Sequence, residues 1–284
     1  MNSSNAVLYS QLKRHVLSEF DRRRYGYPME ANPGRYDGKV TIVHDFRDII
    51  NDFLTNRRVC RRCFQKFDVD IDGYPTKVEE CRYHRQPMVI GGTHTCCYSL
   101  SPCEIAPSHT VRNAGHPDET SGFIRLAPPK ISTNNHQVFA IDCEMVSTTI
   151  GFELARLTIV DIGGNIVLDE FVKPRHRILD HNTPYSGITG QVIDNAKWTL
   201  DDVHKYLRKT MTTETIICGH GLEHDLKVIK LVHDKVVDTT QLFPHHLGFP
   251  RSSLKWLAQN HLSKNIQSKF SNSLFTIFLN DKFF

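Results

Sequence analysis

The chain has 284 residues, of which 39% are hydrophobic, 10% aromatic and 23% charged, and its formal net charge is +4. These values are ordinary for a soluble globular protein of one or two domains, and the slight positive charge is compatible with a nucleic-acid partner without requiring one. No stretch approaches the roughly 20 apolar residues that a membrane span needs, and the first residues lack the apolar core of a signal peptide. We therefore expect an intracellular protein that does not contact a membrane.

The first 56 residues carry weak and mixed signals. Apolar residues between positions 5 and 25 recur at the spacing of a short amphipathic helix, residues 40–43 are typical of a strand, and residues 46–54 are compatible with a second helix. We predict a helical or irregular N-terminal segment over residues 1–56.

Six of the eight cysteines lie between Cys60 and Cys103. In a reducing compartment such a cluster indicates metal binding before disulfides, and two close ligand pairs separated by a loop are typical of a tetrahedral zinc site. We predict a zinc region over residues 57–112, with one site formed by Cys60, Cys63, Cys81 and His84. The second predicted site consists of Cys96, Cys97, Cys103 and His109, with His94 as a spare ligand. Buried free cysteines are the alternative interpretation.

Basic residues accompany these cysteines. They are compatible with RNA contacts, although a run of arginines is also typical of a solvated face; the residues are Arg57, Arg58, Arg61, Arg62, Arg82 and Arg85. Residues 113–136 are polar with three prolines, and we predict that they form a linker.

A different pattern begins at Val138. Residues 138–141, 154–160 and 166–172 predict three successive strands, and the turn at 161–165 is typical of a hairpin. Helices are predicted over 199–209, 222–232 and 253–262, with short strands at 215–218 and 236–238. Hairpin strands followed by alternating strands and helices favour an α/β domain with a mixed sheet.

Three carboxylates mark a candidate metal site in this domain. Asp142 and Glu144 end the first strand, where residues two apart face the same side, and Asp225 lies where a later strand passes into a helix. Carboxylate oxygens suit Mg²⁺ or Mn²⁺ better than zinc. Two such ions activate a water and stabilise the leaving oxygen of a phosphodiester. Taken alone, the Asp-x-Glu tripeptide that contains Asp142 and Glu144 could occur by chance, and Asp225 could be a carboxylate that only stabilises the start of a helix.

Several motifs occur in one order over about 130 residues: FAIDCEMV, ELARLTIVD, DHNTPYSGIT, GHGLEHDL and VVDTTQLFPH. Together they resemble the RNA exonuclease 1 homolog branch of the DEDDh exonucleases. The resemblance implies a ribonuclease-H-like fold, 3′–5′ hydrolysis at the 3′ end of RNA or single-stranded DNA, and a nuclear location. It implies that Asp142, Glu144 and Asp225 are metal ligands and that Met145 and Leu154 pack near the 3′-terminal nucleotide. His220 and His224 are interpreted as packing or surface residues.

The family's third motif, which supplies a histidine general base and a further aspartate ligand, is not found after residue 266. No histidine follows His261, and Asp281 is the only acid in an apolar tail that does not match the motif. We therefore expect a C-terminally incomplete exonuclease domain over residues 137–267 and an atypical tail over 268–284. An active exonuclease, a non-catalytic nucleic-acid-binding protein and an inactive truncated isoform all stay open, and the pattern identifies no protein partner.

Overall fold

The computed structural model describes residues 3–32, 34, 36–44, 53–86, 92–112, 114–130, 137–243 and 251–265. The helix expected over 46–54 lies almost wholly outside these residues, and so do the tail 268–284 and positions 131–136. No helix in the described ranges is both long and apolar enough to cross a membrane.

Short elements make up the first half of the chain. They are α1 (Ser3–Lys13), α2 (Glu19–Arg24), β1 (Met29–Glu30), β2 (Val40–Thr41), β3 (Arg57–Val59), β4 (Lys66–Asp68), β5 (Cys81–Tyr83), β6 (Glu104–Ala106), a 3₁₀ turn (Pro117–Glu119) and β7 (Ile124–Arg125). Longer elements follow: β8 (Val138–Thr148), β9 (Gly151–Asp161), β10 (Ile166–Phe171), β11 (Ile178–Asp180), α3 (Thr183–Ser186), α4 (Gly190–Asp194), α5 (Leu200–Thr210), β12 (Ile216–Gly219), α6 (Leu222–Val228), β13 (Leu231–Val232), β14 (Val236–Asp238), α7 (Thr239–Leu242) and α8 (Leu254–Leu262).

The central sheet has the order β10-β9-β8-β12-β14, with β11 paired to the far end of β8. Strands β10, β9 and β8 are antiparallel, whereas β12 is parallel to both β8 and β14. This mixed sheet flanked by helices confirms the predicted α/β, ribonuclease-H-like class. The parallel pairing of β12 with β8 places Cys218, near the carboxyl end of β12, beside Ala140 of β8, two residues before the first predicted carboxylate, Asp142.

Each face of the sheet is covered by its own apolar cluster. On one face Leu207 of α5 and Leu226 of α6 pack with Ile217 of β12 in the larger cluster. On the other face Leu12 of α1 packs with Ile216 of β12. Adjacent residues of one strand therefore point to opposite layers, as the two-residue period of a strand requires.

The N-terminal segment and the predicted linker are integral to this fold. The Tyr9 hydroxyl donates to the carbonyl of Glu214 at 2.6 Å, and α1 packs against β12. Strand β7 pairs in parallel with β13, so residues 114–130 of the predicted linker contribute a strand to the fold. That correction has a physical reason: the backbone groups of so short a strand are satisfied by a partner far away in the chain, which its polar composition does not reveal.

Most element types match the sequence predictions, and the differences are in length. The helix expected over residues 5–25 is two helices, because Ser18 caps a new helix by accepting from the amide of Asp21 at 3.1 Å. The helix expected over 222–232 ends at Val228, and Lys230 then has a left-handed backbone with φ of 51°. Strand β8 runs seven residues beyond Ile141, to Thr148, because β9 and β11 provide backbone partners there.

Candidate active site and metal centres

Strand β8 carries two of the three predicted carboxylates. Asp142 is paired with Thr158 of β9 and Glu144 with Arg156, and the register shifts directly after Glu144 in a β-bulge. Arg156 donates to Asp169 through Nε and Nη2, each at 2.7 Å. Its guanidinium is therefore held by Asp169 beside the carboxylates of β8.

Asp225 is positioned by the turn between β12 and α6. The buried carboxylate of Asp238, at the end of β14, accepts from the amides of Gly221 at 3.0 Å and Leu222 at 2.9 Å, which caps the first turn of α6. The Tyr27 hydroxyl donates to the same carboxylate at 2.6 Å. One turn into α6, Asp225 Oδ1 accepts from the amide of Cys143 at 2.8 Å. This bond joins α6 to β8 between the two predicted strand ligands.

The pKa values of all three carboxyl groups are raised. Burial raises the pKa of Asp142 to about 6 against the opposing charge of Arg156. Burial and the charge of Asp142 raise the pKa of Glu144 to about 7. Burial and Asp142 also raise the pKa of Asp225 well above its usual value, although the amide of Cys143 acts in the opposite direction. The three groups therefore form one electrostatically coupled acidic cluster.

A cleft of about 1960 Å³ opens beside this cluster. Asp142, Asp225, Met145 and Leu154 all line it, and Met145 and Leu154 are direct partners across β8 and β9. Glu144 is not among the lining residues. The structure thus brings four of the five predicted site residues to one cleft and places Glu144 beside it.

The donor set of this cluster fits a divalent cation. The raised pKa values show that nearby side chains provide too little positive charge to keep these buried carboxylates ionised, and a bound cation would provide it. Their oxygen atoms are the hard donors that Mg²⁺ and Mn²⁺ prefer. Within the described ranges, only two Cys/His groups bring three or more candidate ligand atoms within 4.8 Å of one another. The three carboxylates are therefore spaced more widely than the ligands of a closed single-ion site.

The first Cys/His group consists of Cys60, Cys63, Cys81 and His109. The Sγ atoms of Cys60 and Cys81 are 3.7 Å apart, and Cys63 Sγ is 3.3 Å from His109 Nδ1. Two sulfur ligands at 2.3 Å from a tetrahedral zinc lie about 3.8 Å apart, and a sulfur and a nitrogen ligand about 3.6 Å apart. The spacing fits one zinc ion.

The second group consists of His84, Cys96, Cys97 and Cys103. Its Sγ atoms are 3.5 Å apart between Cys96 and Cys103, and His84 Nδ1 lies 3.4 Å from Cys97 Sγ. These distances fit the same tetrahedral geometry. His94, the spare candidate, stacks on the His84 ring at 3.6 Å and makes a 2.7 Å hydrogen bond with the carbonyl of Gln86 through Nδ1.

The two histidines are exchanged relative to the sequence prediction, which grouped His84 with Cys81 and His109 with Cys103. The antiparallel register of β5 and β6 pairs Cys81 with Ala106 and Tyr83 with Glu104. His84 therefore follows the end of β5 that adjoins Cys103, whereas His109 follows the end of β6 that adjoins Cys81. Three residues of strand span about 10 Å, so Cys81 and His84 cannot bind one ion.

The six predicted RNA-contacting arginines divide into two groups. Four line the cleft: Arg61, Arg62, Arg82 and Arg85. Arg58 is instead buried and donates to the carbonyl of Thr55 at 2.7 Å, and Arg57 lies 3.8 Å from Asp68 on the surface.

Arg62 joins the Cys/His region to the sheet. Its Nη1 lies 2.6 Å from Asp180 Oδ2, with side chains only 6% and 11% exposed. A buried ion pair of this kind fixes the position of one unit against another. The Cys/His region therefore forms a wall of the cleft rather than a separate module.

The sequence interpretation missed three cleft residues. Phe64 directly follows Cys63 and is 66% exposed, and Lys173 and Arg175 are exposed on the segment after β10. For Phe64 the signal was an aromatic directly after a Cys-x-x-Cys pair, where the turn favours glycine. For the two basic residues no local pattern separates them from other surface charges.

Comparison with known proteins places these features in context. No family model matches the chain. It is 37% identical to "Exonuclease GOR" of Pan troglodytes over 93% of the chain and 39% of that protein. It is 35% identical to "RNA exonuclease 1 homolog" of Homo sapiens over 92% of the chain and 22% of that protein. It is 33% identical to "RNA exonuclease 3" of Candida albicans over 90% of the chain and 61% of that protein.

Solved structures were compared with the fold as well. The chain matches the Pan2 catalytic unit of Neurospora crassa with 24% identity and a TM-score of 0.44, over 53% of this chain and 27% of that one. A Pan2 module of Saccharomyces cerevisiae in complex with AAGGA RNA matches with 24% identity and a TM-score of 0.44, over 57% and 32%.

The sequence relatives match nearly the whole chain, including the Cys/His region, whereas the chain spans less than half the length of the first two. With this extent of identity, the chain belongs to the RNA exonuclease 1 homolog family.

Proposed function

We propose that the chain is an exonuclease that hydrolyses RNA from its 3′ end with Mg²⁺ or Mn²⁺ as the cofactor. The observation that carries the proposal is the coupled carboxylate cluster of Asp142, Glu144 and Asp225 beside a large cleft. The names of the relatives, which are exonucleases and RNA exonucleases, support the same activity.

The mechanism follows from what the side chains around the cleft can do. Asp142 and Asp225 would hold divalent cations at the wall of the cleft. Glu144, which lies on the same strand as Asp142, would be a third ligand. When bound, such ions activate a water and stabilise the leaving oxygen of the phosphodiester. The amide of Cys143 holds Asp225 in place, and the Arg156 charge keeps Asp142 closer to its ionised form.

An apolar pair beside the carboxylates, Met145 and Leu154, would position the substrate in the cleft. Met145 and Leu154 lie across from each other on β8 and β9, and Met145 directly follows Glu144 in the chain. An apolar floor of this kind suits the face of a terminal base, and arginines and lysines along the cleft suit phosphates.

We further propose that the two Cys/His groups bind structural zinc. Their near-tetrahedral spacing supports this, and the first group joins Cys63 to His109 across 46 positions of the chain. Metal analysis of the purified full chain is the test, and two zinc equivalents are expected. A nuclear location is also part of the proposal, supported by the family resemblance alone.

A second candidate is RNA binding without hydrolysis. One observation favours it: the cleft is lined by arginines, which bind phosphates whether or not the RNA is hydrolysed; they are Arg61, Arg62, Arg82 and Arg85.

A 5′-labelled single-stranded RNA incubated with the chain and Mn²⁺ separates the two candidates. One-nucleotide shortening that falls by at least about 100-fold in Asp142→Ala supports the enzyme, because the bound metal supplies several kcal/mol of transition-state stabilisation. Glu170→Gln is the matched control, an acid of the same sheet outside this cleft. Intact RNA at high protein concentration, together with retained binding, would contradict the enzymatic proposal. The same assay with DNA decides the substrate class.

A further inference from the structure

We propose that Phe64 stacks on a base of single-stranded RNA upstream of the 3′ end, so that the Cys/His region is a second binding surface for the substrate. This inference rests on the proposed function, because it describes how the same RNA would continue along the cleft away from the carboxylates.

The first observation is the conformation of Phe64. Its backbone has a φ of 62°, a left-handed value that favours glycine, and the residue is 66% exposed. The amide of Phe64 donates to the carbonyl of Cys60 at 3.0 Å, and the amide of Cys60 donates to Gln65 at 2.8 Å, which form the tight turn. Glycine would serve this turn better, and the ring adds nothing to the buried cluster of the region. Folding alone therefore does not account for an aromatic residue here.

The second observation is a continuous surface between the carboxylates and Phe64. Leu154 lies at the carboxylate end of the cleft, and Phe152 is two residues before it on β9, which corresponds to about 7 Å along a strand. The guanidinium of Arg61 lies 3.7 Å from the centroid of the Phe152 ring. Arg61 and Phe64 belong to the same turn, and all four residues line the cleft. A strand of RNA that leaves the carboxylates along β9 would reach Phe64.

The third observation is the charge of this path. Lys173, Arg175 and Arg61 line the cleft, and in the described ranges none of the three side chains forms an ion pair with a carboxylate. Positive side chains that follow a backbone, combined with an exposed aromatic ring, are the usual means of holding single strands. A duplex keeps its bases stacked inside and would not offer one to Phe64. The occupant is therefore single-stranded RNA.

Tyr98 provides an internal control. It also directly follows a cysteine pair, has a left-handed φ of 53° and is 78% exposed, but it does not line the cleft. If the loss of any exposed aromatic residue beside a metal group weakened RNA binding, substitution of either Phe64 or Tyr98 would do so. If the Phe64 ring itself contacts RNA, only the Phe64 substitution would weaken binding.

The experiment measures binding of 5′-fluorescein oligouridines of three, six and twelve nucleotides by fluorescence anisotropy. It uses the full chain with Asp142→Ala, to prevent hydrolysis, and no chelator, so that zinc is retained. Phe64→Ala, Phe64→Gly and Tyr98→Ala are added to this background. Phe64→Gly suits the left-handed turn, so it removes the ring without endangering the fold, and thermal melting checks each variant.

We expect the Asp142→Ala background protein to bind longer oligouridines more tightly than shorter ones. Phe64→Ala and Phe64→Gly should raise the Kd of the twelve-nucleotide RNA at least about fivefold, with little change for the shortest RNA, and Tyr98→Ala should change neither. Equal Kd values for the background and both Phe64 variants overturn the inference. If the wild-type chain fails to shorten RNA while the Phe64 effect persists, the proposed hydrolysis fails and the binding surface stands.

Discussion

The buried ion pair between Arg62 and Asp180 should contribute strongly to stability. Its atoms are 2.6 Å apart, the side chains are 6% and 11% exposed, and Asp180 also accepts from the amide of Asn182 at 2.8 Å. In Asp180→Ala the contacts left to the Arg62 charge among the described residues are Asn182 at 3.4 Å and the Tyr83 ring at 5.2 Å. Removing one partner of a buried pair costs about 3–5 kcal/mol, because the other charge stays buried and uncompensated.

Urea denaturation followed by circular dichroism measures this free energy of unfolding. Glu80→Ala is the control, since Glu80 pairs with Arg82 at 3.0 Å but both side chains are more than 60% exposed, so its loss should cost less than about 1 kcal/mol. The double variant Arg62→Met with Asp180→Leu should lie within about 1 kcal/mol of the wild type. A cost for Asp180→Ala no larger than that for Glu80→Ala would refute the inference that this pair fixes the Cys/His region against the sheet.

Three further predictions concern the metal groups, pH and a helix cap. His109→Ala should lower the zinc content from two equivalents to one, whereas His94→Ala should leave two, as measured by atomic absorption; the reverse would restore a role for His94. The hydrogen bond with Glu153 raises the pKa of His176, so its stabilisation is complete below about pH 6.5 and is lost as the pH rises through the folded-state pKa. The stability difference between wild type and His176→Gln should therefore shrink from pH 6 to pH 9, and a constant or growing difference would contradict this pairing. Thr199→Ala removes the hydroxyl that donates to Asp202 Oδ2 at 2.7 Å in the first turn of α5 and should lower the free energy of unfolding by about 1 kcal/mol in urea denaturation, while an unchanged value would argue against a stabilising role for this contact.

The order of the motifs and the pattern of the strands were sufficient to predict the α/β domain and to select its candidate carboxylates. Asp142 lies on a strand with a two-residue period, and Asp225 lies in the first turns of a helix that follows a buried strand. Both signals are local, because period and helix start depend on neighbours in the chain. The metal-ligand roles of these residues, and those of Met145 and Leu154 at the substrate, stay predictions.

Tertiary structure alone decided which ligands share a metal group. Cys81 and His84 are close in sequence, yet the strand between them holds them at its opposite ends, and the register with β6 brings His109 to Cys81 instead. Register between strands is a long-range property that depends on the whole hairpin and its packing. Sequence spacing counts residues along the chain, and it cannot measure the distance across a pair of strands.

The same limit applies to the cleft. From the sequence, the Cys/His region and the exonuclease domain were two units joined by a linker, and nothing local indicated that Arg62 pairs with Asp180 across 118 positions. That contact, together with the stacking of Arg61 on Phe152, makes Phe64 part of the wall that faces the carboxylates. The residue types at the site, and the chemistry they allow, could therefore be predicted from the sequence. Their assembly into one cleft depends on the packing of segments that are distant in the chain, because burial and charge pairing act through space.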